Sequence, residues 1–179
     1  MRFIQFGAGR LSLPHPWENY DLDVDCAKPL PRDRFPDGCA AIVFSEMMLE
    51  HITPQQAWSF LEECHRILVP TGLVRIVIPD FSLSWRLQDP DWLRVNQGVT
   101  NNNGSLRDQF KSIIFAHGHQ GLWNSELLRD VMSAIGFKRA TCKRAGESDF
   151  QELRDIEQHW HSVGKAVALS ESGCVEAVR

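Results

Sequence analysis

Residues 40–80 read AAIVFSEMMLEHITPQQAWSFLEECHRILVPTGLVRIVIPD, and the order of apolar runs in this stretch decides the fold. Ala40-Ala41-Ile42-Val43-Phe44-Ser45 is a continuous apolar run, of a length that suits a strand buried on both faces. Thr53, Pro54 and Gln56 then mark a helix start, because a threonine three residues before a glutamine makes a capping box and proline suits the first helical position. Ala57, Phe60, Leu61, Cys64 and Leu68 recur at the spacing of one helical face. Pro70-Thr71-Gly72 stops the helix, and Leu73-Val74-Arg75-Ile76-Val77-Ile78 follows as another buried strand, closed by Pro79-Asp80. Strand, capped helix and strand form a βαβ unit, which implies a parallel sheet with right-handed crossovers.

Upstream, Phe3-Ile4-Gln5-Phe6 reads as a strand that ends at Gly7-Ala8-Gly9. Trp17-Glu18-Asn19-Tyr20-Asp21 reads as a second, short strand ending in an acid. Lys28-Pro29-Leu30-Pro31 excludes regular structure. Downstream, helices are predicted at about 105–115 and 125–135, the second ending at Gly136, a good residue just past a helix. Strands are predicted around 138–144 and 173–178. Thr100-Asn101-Asn102-Asn103-Gly104 is a polar loop. No repeat or linker divides the chain, so residues 1–179 are expected to form one domain. The expected fold class is α/β: a compact, Rossmann-like, mostly parallel sheet with reduced N-terminal helices and an antiparallel C-terminal strand.

A chain of 179 residues is long enough to bury roughly 70% of its unfolded surface. With 43% hydrophobic and 23% charged residues it is neither disordered, collagen-like nor a disulfide scaffold. Lys and Arg number 19 against 23 Asp and Glu, a net charge of −4, so no basic field is present to hold nucleic acid. Cys26, Cys39, Cys64, Cys142 and Cys174 are odd in number and contain no CxxC pair, which reads as free thiols in a reducing compartment. The opening MRFIQFGAGR is not a secretory signal, and no run reaches the length of a membrane span. A cytoplasmic location without membrane insertion is expected.

Four constellations have the chemistry to form a site. Gly7 and Gly9, after a strand, allow a sharp turn and close backbone approach to a ligand; Ser12 replaces the third glycine of a dinucleotide fingerprint. Asp21, Asp23 and Asp25 follow the second strand, where a carboxylate can accept hydrogen bonds from ribose hydroxyls. Ser45 to His51 leaves the carboxyl end of a buried strand, the place where open α/β sheets bind ligands. His117-Gly118-His119 and His159-Trp160-His161 are HxH pairs of the kind that can bind zinc, but they lie in different elements and no motif sets a carboxylate beside them. No metal is therefore expected, and these histidines read as packing or substrate contacts.

In this order, the strand with GAG, NYD, the DxxKPLP stretch, SEMMLEH, RILVPTG and LVRIVIPD resemble the class I S-adenosylmethionine-dependent methyltransferases, in particular the small predicted methyltransferases associated with cell-surface saccharide synthesis. The resemblance runs nearly end to end, and HGHQGLWNSELLRDVMSAIGF fits the family's C-terminal helix. It implies S-adenosylmethionine as cofactor, with Gly7 and Gly9 under its methionine part. Asp21 would take the ribose hydroxyls and Asp25 would sit near the adenine amino group. Ser45 and Glu46, at the end of the fourth strand, would line the methyl-bearing side.

Two departures stand out. Met47 occupies a position where relatives often carry a histidine, and the interval from Gly9 to Asp21 is too short for a parallel crossover with a full helix. The resemblance implies methyl transfer to a small-molecule or saccharide acceptor. For a hydroxyl acceptor the candidate bases are His51, His117, His119 and Glu50, with His119 favoured because it lies in the excursion after the sheet. The excursion from Phe81 to Trp123, with Trp85 and Trp92, would cover the acceptor. The alternative is a catalytically inactive binding or regulatory module that kept the fold. A second copy of the chain is the other partner considered, as a homodimer.

Overall fold

The computed structural model describes residues 1–21, 23–82 and 117–179. Six strands form a single sheet: β1 (Arg2–Phe6), β2 (Trp17–Tyr20), β3 (Ala40–Glu46), β4 (Leu68–Pro79), β5 (Lys138–Arg144) and β6 (Ser172–Val178). Their spatial order is β2-β1-β3-β4-β6-β5. The first four in that order run parallel, and β6 runs antiparallel to both β4 and β5. A mostly parallel α/β sheet with an antiparallel C-terminal strand is what the sequence predicts. Ser45 and Glu46, however, end the third strand of the chain. Between β2 and β3 the chain forms turns around Val24 and Asp25.

The βαβ unit forms as the caps dictate. Helix α1 (Pro54–Ile67) has Thr53 as its N-cap, with the Gln56 amide donating to Thr53 Oγ1 at 3.3 Å and the Thr53 amide donating to Gln56 Oε1 at 2.9 Å. Its buried face is Ala57, Phe60, Leu61, Cys64 and Ile67. Leu68, expected on that face, is buried as the first residue of β4 instead. The strand absorbs Pro70-Thr71-Gly72 as an irregularity, since Ala40 pairs with Leu68 but Ile42 pairs with Leu73. Thr53→Ala is expected to cost about 1 kcal/mol of stability in a denaturant titration, the usual cost of losing such a cap.

The two faces of the sheet are covered differently. One carries α1 and α2 (Ser125–Ile135), over a core that includes Ile4, Phe6, Val43, Val74, Ile76 and Val175. Asn124 caps α2 through the Leu127 amide at 2.7 Å, and Gly136 ends it in the left-handed conformation at φ 117°. The opposite face, with Phe44, Val77 and Cys174, is covered by irregular chain carrying Leu13, Ala145 and Ile156.

Chain of that kind must have its backbone groups satisfied by side chains. The β1–β2 crossover, residues 7–16, has no helix. The Leu13 amide donates to both Gln5 Oε1 and Asn19 Oδ1 at 3.0 Å, Asn19 Nδ2 donates to the Leu13 carbonyl at 2.9 Å, and Gln5 Nε2 donates to the Leu11 carbonyl at 3.2 Å. These bonds close the short crossover that the interval between Gly9 and Asp21 predicts.

The five cysteines are free thiols. The helix expected at 105–115, the polar loop at 100–104, Trp85, Trp92 and most of the proposed cover lie outside the described residues. Two short helices, α3 (Trp160–Val163) and α4 (Lys165–Glu171), were not predicted. Among the described residues no helix is long and apolar enough to cross a membrane.

Candidate active site

Parallel register brings the predicted residues to one edge. Phe6 pairs with Tyr20 on one side and Ser45 on the other, so Gly7, Asp21 and Glu46 leave the sheet side by side. The Ala8 amide donates to the Tyr20 carbonyl at 3.1 Å, which holds the glycine turn against the end of β2. Gly7 and Gly9 have φ of 70° and 52°, conformations that favour glycine. A Cβ on Gly7 would lie 2.6 Å from Met48 Cβ, whereas the space over Gly9 is open.

A pocket of about 320 Å³ opens at this edge, at the small end of the range for ligand sites of roughly 300–1,000 Å³. Gly7, Asp21, Asp25 and His51, all candidates from the sequence, line it together with Cys26 and Met48, which the sequence reading did not single out. Gly9, Ser45 and Glu46 do not line it.

The acids divide their roles. Asp23 pairs with Arg34 at 2.6 Å and accepts the Asp21 amide at 3.0 Å. Hydrogen bonding to the Asp21 amide and to Arg34 holds the Asp23 carboxyl below its ordinary range. Asp25 pairs with Lys28 at 2.9 Å and accepts the Ala27 amide at 3.0 Å; these bonds, Lys28 foremost, lower its carboxyl too. The Asp21 side chain makes no hydrogen bond or ion pair among the described residues, which leaves its oxygens available to a ligand. Ser45 is buried and its hydroxyl has no partner among the described residues.

Glu46 is turned toward the far segment of the chain, where its carboxylate accepts the amides of Gln158 at 2.7 Å and His159 at 3.1 Å. Burial raises its carboxyl, and those two amides oppose the rise. The second HxH pair has a structural explanation in part, because His159 also bonds Glu171 at 3.2 Å through Nε2.

The 3₁₀ turn Leu49–His51 follows β3, and the first HxH pair folds against it. The amides of Gln120 and Gly121 donate to the Glu50 carbonyl at 2.7 and 3.1 Å, and Gln120 Nε2 donates to the His51 carbonyl at 2.7 Å. The rings of His51 and His119 lie edge to face, 5.0 Å apart between centroids, and His117 is 5.9 Å from His119. The Glu50 side chain is buried beneath them, and that burial pushes its carboxyl up to about 8. Burial and the neighbouring His117 lower His51. His51 thus belongs both to the pocket wall and to this histidine cluster. Sequence adjacency joined Glu50 to His51, but nothing in the sequence joined them to His119.

A second cavity, about 510 Å³, opens beyond the ends of β4 and β5 at the same side of the sheet. Its lining includes Asp80, Lys143, Trp160 and Lys165, with Lys165 Nζ 5.4 Å from the centre of the Trp160 ring.

Residues 16–76 match the methyltransferase-domain family model. Among solved structures, an S-adenosylmethionine-dependent methyltransferase from Archaeoglobus fulgidus superposes with a TM-score of 0.58 at 13% identity, over 99% of this chain and 86% of that one. The chain has the class I methyltransferase fold. Phosphoethanolamine N-methyltransferase 2 of Haemonchus contortus, in complex with S-adenosyl-L-methionine, matches with a TM-score of 0.60 at 14% identity, over all of this chain and 48% of that one. The chain therefore spans about half the length of the Haemonchus protein. A possible histamine N-methyltransferase from Thermotoga maritima matches with a TM-score of 0.55 at 14% identity, covering 99% and 81%. No curated protein matches by sequence. The methyltransferase-domain match thus falls on residues 16–76, and these neighbours share the fold of the chain.

Proposed function

We propose that this methyltransferase-fold chain methylates a small-molecule or saccharide acceptor, with the cofactor in the Gly7–Asp21–Asp25 pocket and the acceptor at the histidine cluster. The observation that supports this most is that His51 walls the pocket and also contacts His119, so a ligand site and a candidate base share one edge. The residues fit the cofactor: Asp21 has uncommitted carboxylate oxygens for a ribose, Asp25 stands beside it for the adenine end, and the backbone above Gly9 is open. Ser45 and Glu46 would stand behind the methyl-bearing side through the end of β3. When bound, S-adenosylmethionine supplies a sulfonium-activated methyl group. For a hydroxyl acceptor, His119 takes the proton, with His51 as the alternative, and each must come within hydrogen-bond reach of that oxygen. The saccharide choice rests on the resemblance of the sequence to saccharide-associated methyltransferases.

Asp21→Ala is expected to weaken S-adenosylhomocysteine binding by about 1.5–3 kcal/mol, the scale of hydrogen bonds to a charged group. Titration calorimetry would read this as a roughly 10- to 150-fold rise in Kd with the fold retained. Wild-type protein that gives no heat and no thermal shift at millimolar ligand would remove the cofactor assignment. Unchanged affinity in the variant would remove the ribose role of Asp21.

A second reading, a module that binds without transferring, is favoured by Met48, whose side chain sits directly over Gly7 and narrows the pocket. Release of S-adenosylhomocysteine in the presence of candidate acceptors separates the two readings. Binding with no turnover across hydroxyl and amine acceptors supports the module.

A further inference from the structure

Glu50 poses a physical question that methyl transfer does not answer. Its side chain is buried, its Oε2 has no hydrogen-bond partner among the described residues, and its Oε1 lies 3.8 Å from His51 Nε2, beyond hydrogen-bond length. A buried carboxylate without a partner is costly, and proteins offset that cost with a proton, a cationic side chain or a metal ion. No lysine or arginine pairs with Glu50 among the described residues.

Two imidazoles do face it. One ligating atom from each of Glu50, His51 and His119 can be chosen so that all three lie within 4.8 Å of one another. Zinc–ligand bonds of about 2.0–2.2 Å place tetrahedral ligands roughly 3.4 Å apart, so the side chains need to close by at most about 1.4 Å around an ion. The backbone beneath them is already joined by the bonds from Gln120 and Gly121 to the Glu50 and His51 carbonyls. That joining holds the two ligand-bearing segments in place, as the supporting shell of a metal site does.

We propose that Glu50, His51 and His119 bind one divalent transition cation of the zinc class, in a two-histidine, one-carboxylate site at the edge of the cofactor pocket. Three protein ligands leave a fourth position open, the arrangement of sites that act on a bound oxygen rather than only stabilise a fold. His117 stands near enough to His119 to approach that position or to take a proton from whatever occupies it. A histidine nitrogen that holds the cation cannot also accept a proton, so cation dependence separates this role from a metal-free base.

The test uses the whole chain, stripped with a chelator and titrated with Zn²⁺ by calorimetry. One equivalent is expected to bind, and Glu50→Gln and His119→Ala are each expected to weaken it at least about tenfold while their circular dichroism stays native. Substitution with Co²⁺ is expected to give the strong visible bands of a four-coordinate ion. Affinity unchanged in both variants, or a weak six-coordinate cobalt spectrum, overturns the site. Cation binding is read directly, so these results stand apart from the S-adenosylhomocysteine titration that tests the proposed function.

Discussion

Arg75→Ala is expected to lower folding stability by about 3–5 kcal/mol, the range for removing one partner of a buried ion pair. Arg75 is fully buried within β4. Its Nε donates to Glu157 Oε1 at 2.7 Å, and its Nη1 donates to Glu176 Oε2 at 3.1 Å. Nη2 also reaches Glu157. The same guanidinium donates to the carbonyls of Glu147 at 2.9 Å and Arg144 at 3.3 Å. The two carboxylates extend the network, since Glu157 accepts the Gly146 amide at 3.1 Å and Glu176 accepts Ser148 Oγ at 2.7 Å and the Asp149 amide at 3.0 Å.

This network anchors the largely irregular segment over the face of the sheet opposite α1 and α2. Arg75→Ala would leave the buried Glu157 without its cation, Glu176 with only Lys143 Nζ at 4.0 Å, and the Glu147 carbonyl without this donor, whereas the Arg144 carbonyl keeps the Glu147 amide at 3.1 Å. Urea titration measures the loss, and Arg75→Ala combined with Glu157→Gln and Glu176→Gln is expected to recover part of it. A loss below about 1 kcal/mol, the scale of an exposed pair, would show that the network contributes little.

Leu61→Ala is expected to cost about 2–5 kcal/mol, the range for truncating a buried leucine. Leu61 is fully buried on α1, in the same core as Phe60, Cys64, Val43 and Ile76. The lost methyl groups account for part of the cost and the unfilled cavity for the rest. Trp58, three residues earlier, lies off the buried face of the helix and is 39% exposed. Trp58→Ala is therefore expected to change stability by well under half as much. Equal losses for the two variants, measured by the same denaturant titration, would mean that α1 packs by a different face.

The βαβ unit was legible because its signals are local. Thr53, Pro54 and Gln56 satisfy the first orphan amides of α1 from within a single turn, and no distant residue is needed for that. Gly136 ends α2 for a similar reason, since the left-handed conformation there belongs to that residue alone. Strand identities in β3 and β4 followed from apolar runs, broken between Leu73 and Ile78 by Arg75 alone. The glycine turn and Asp21 were placed at the carboxyl edge of the sheet because each directly follows a short strand. Leu68 was misplaced because a buried leucine suits the last turn of a helix and the first residue of a central strand equally well.

Tertiary structure decided what the polar residues inside strands do. One register row crosses the whole sheet through Asn19, Gln5, Phe44, Arg75, Glu176 and Thr141. Gln5 and Asn19 satisfy the helix-less crossover, and Arg75 and Glu176 satisfy the segment around 144–149. In the sequence these are scattered polar residues within strands, far apart along the chain, and periodicity cannot say which backbone groups they will meet. The histidine cluster has the same origin. Glu50-His51 and His117-Gly118-His119 come together only because the chain returns after its excursion and donates Gln120 and Gly121 to the Glu50 carbonyl. By itself the sequence determined the parallel sheet, its capped helices and the residues that leave its carboxyl edge, because short-range hydrogen bonding and burial periodicity encode those. The partners of Glu46, Glu50, Arg75 and Glu176 were set by strand register and chain return, which arise from the packing of the whole sheet.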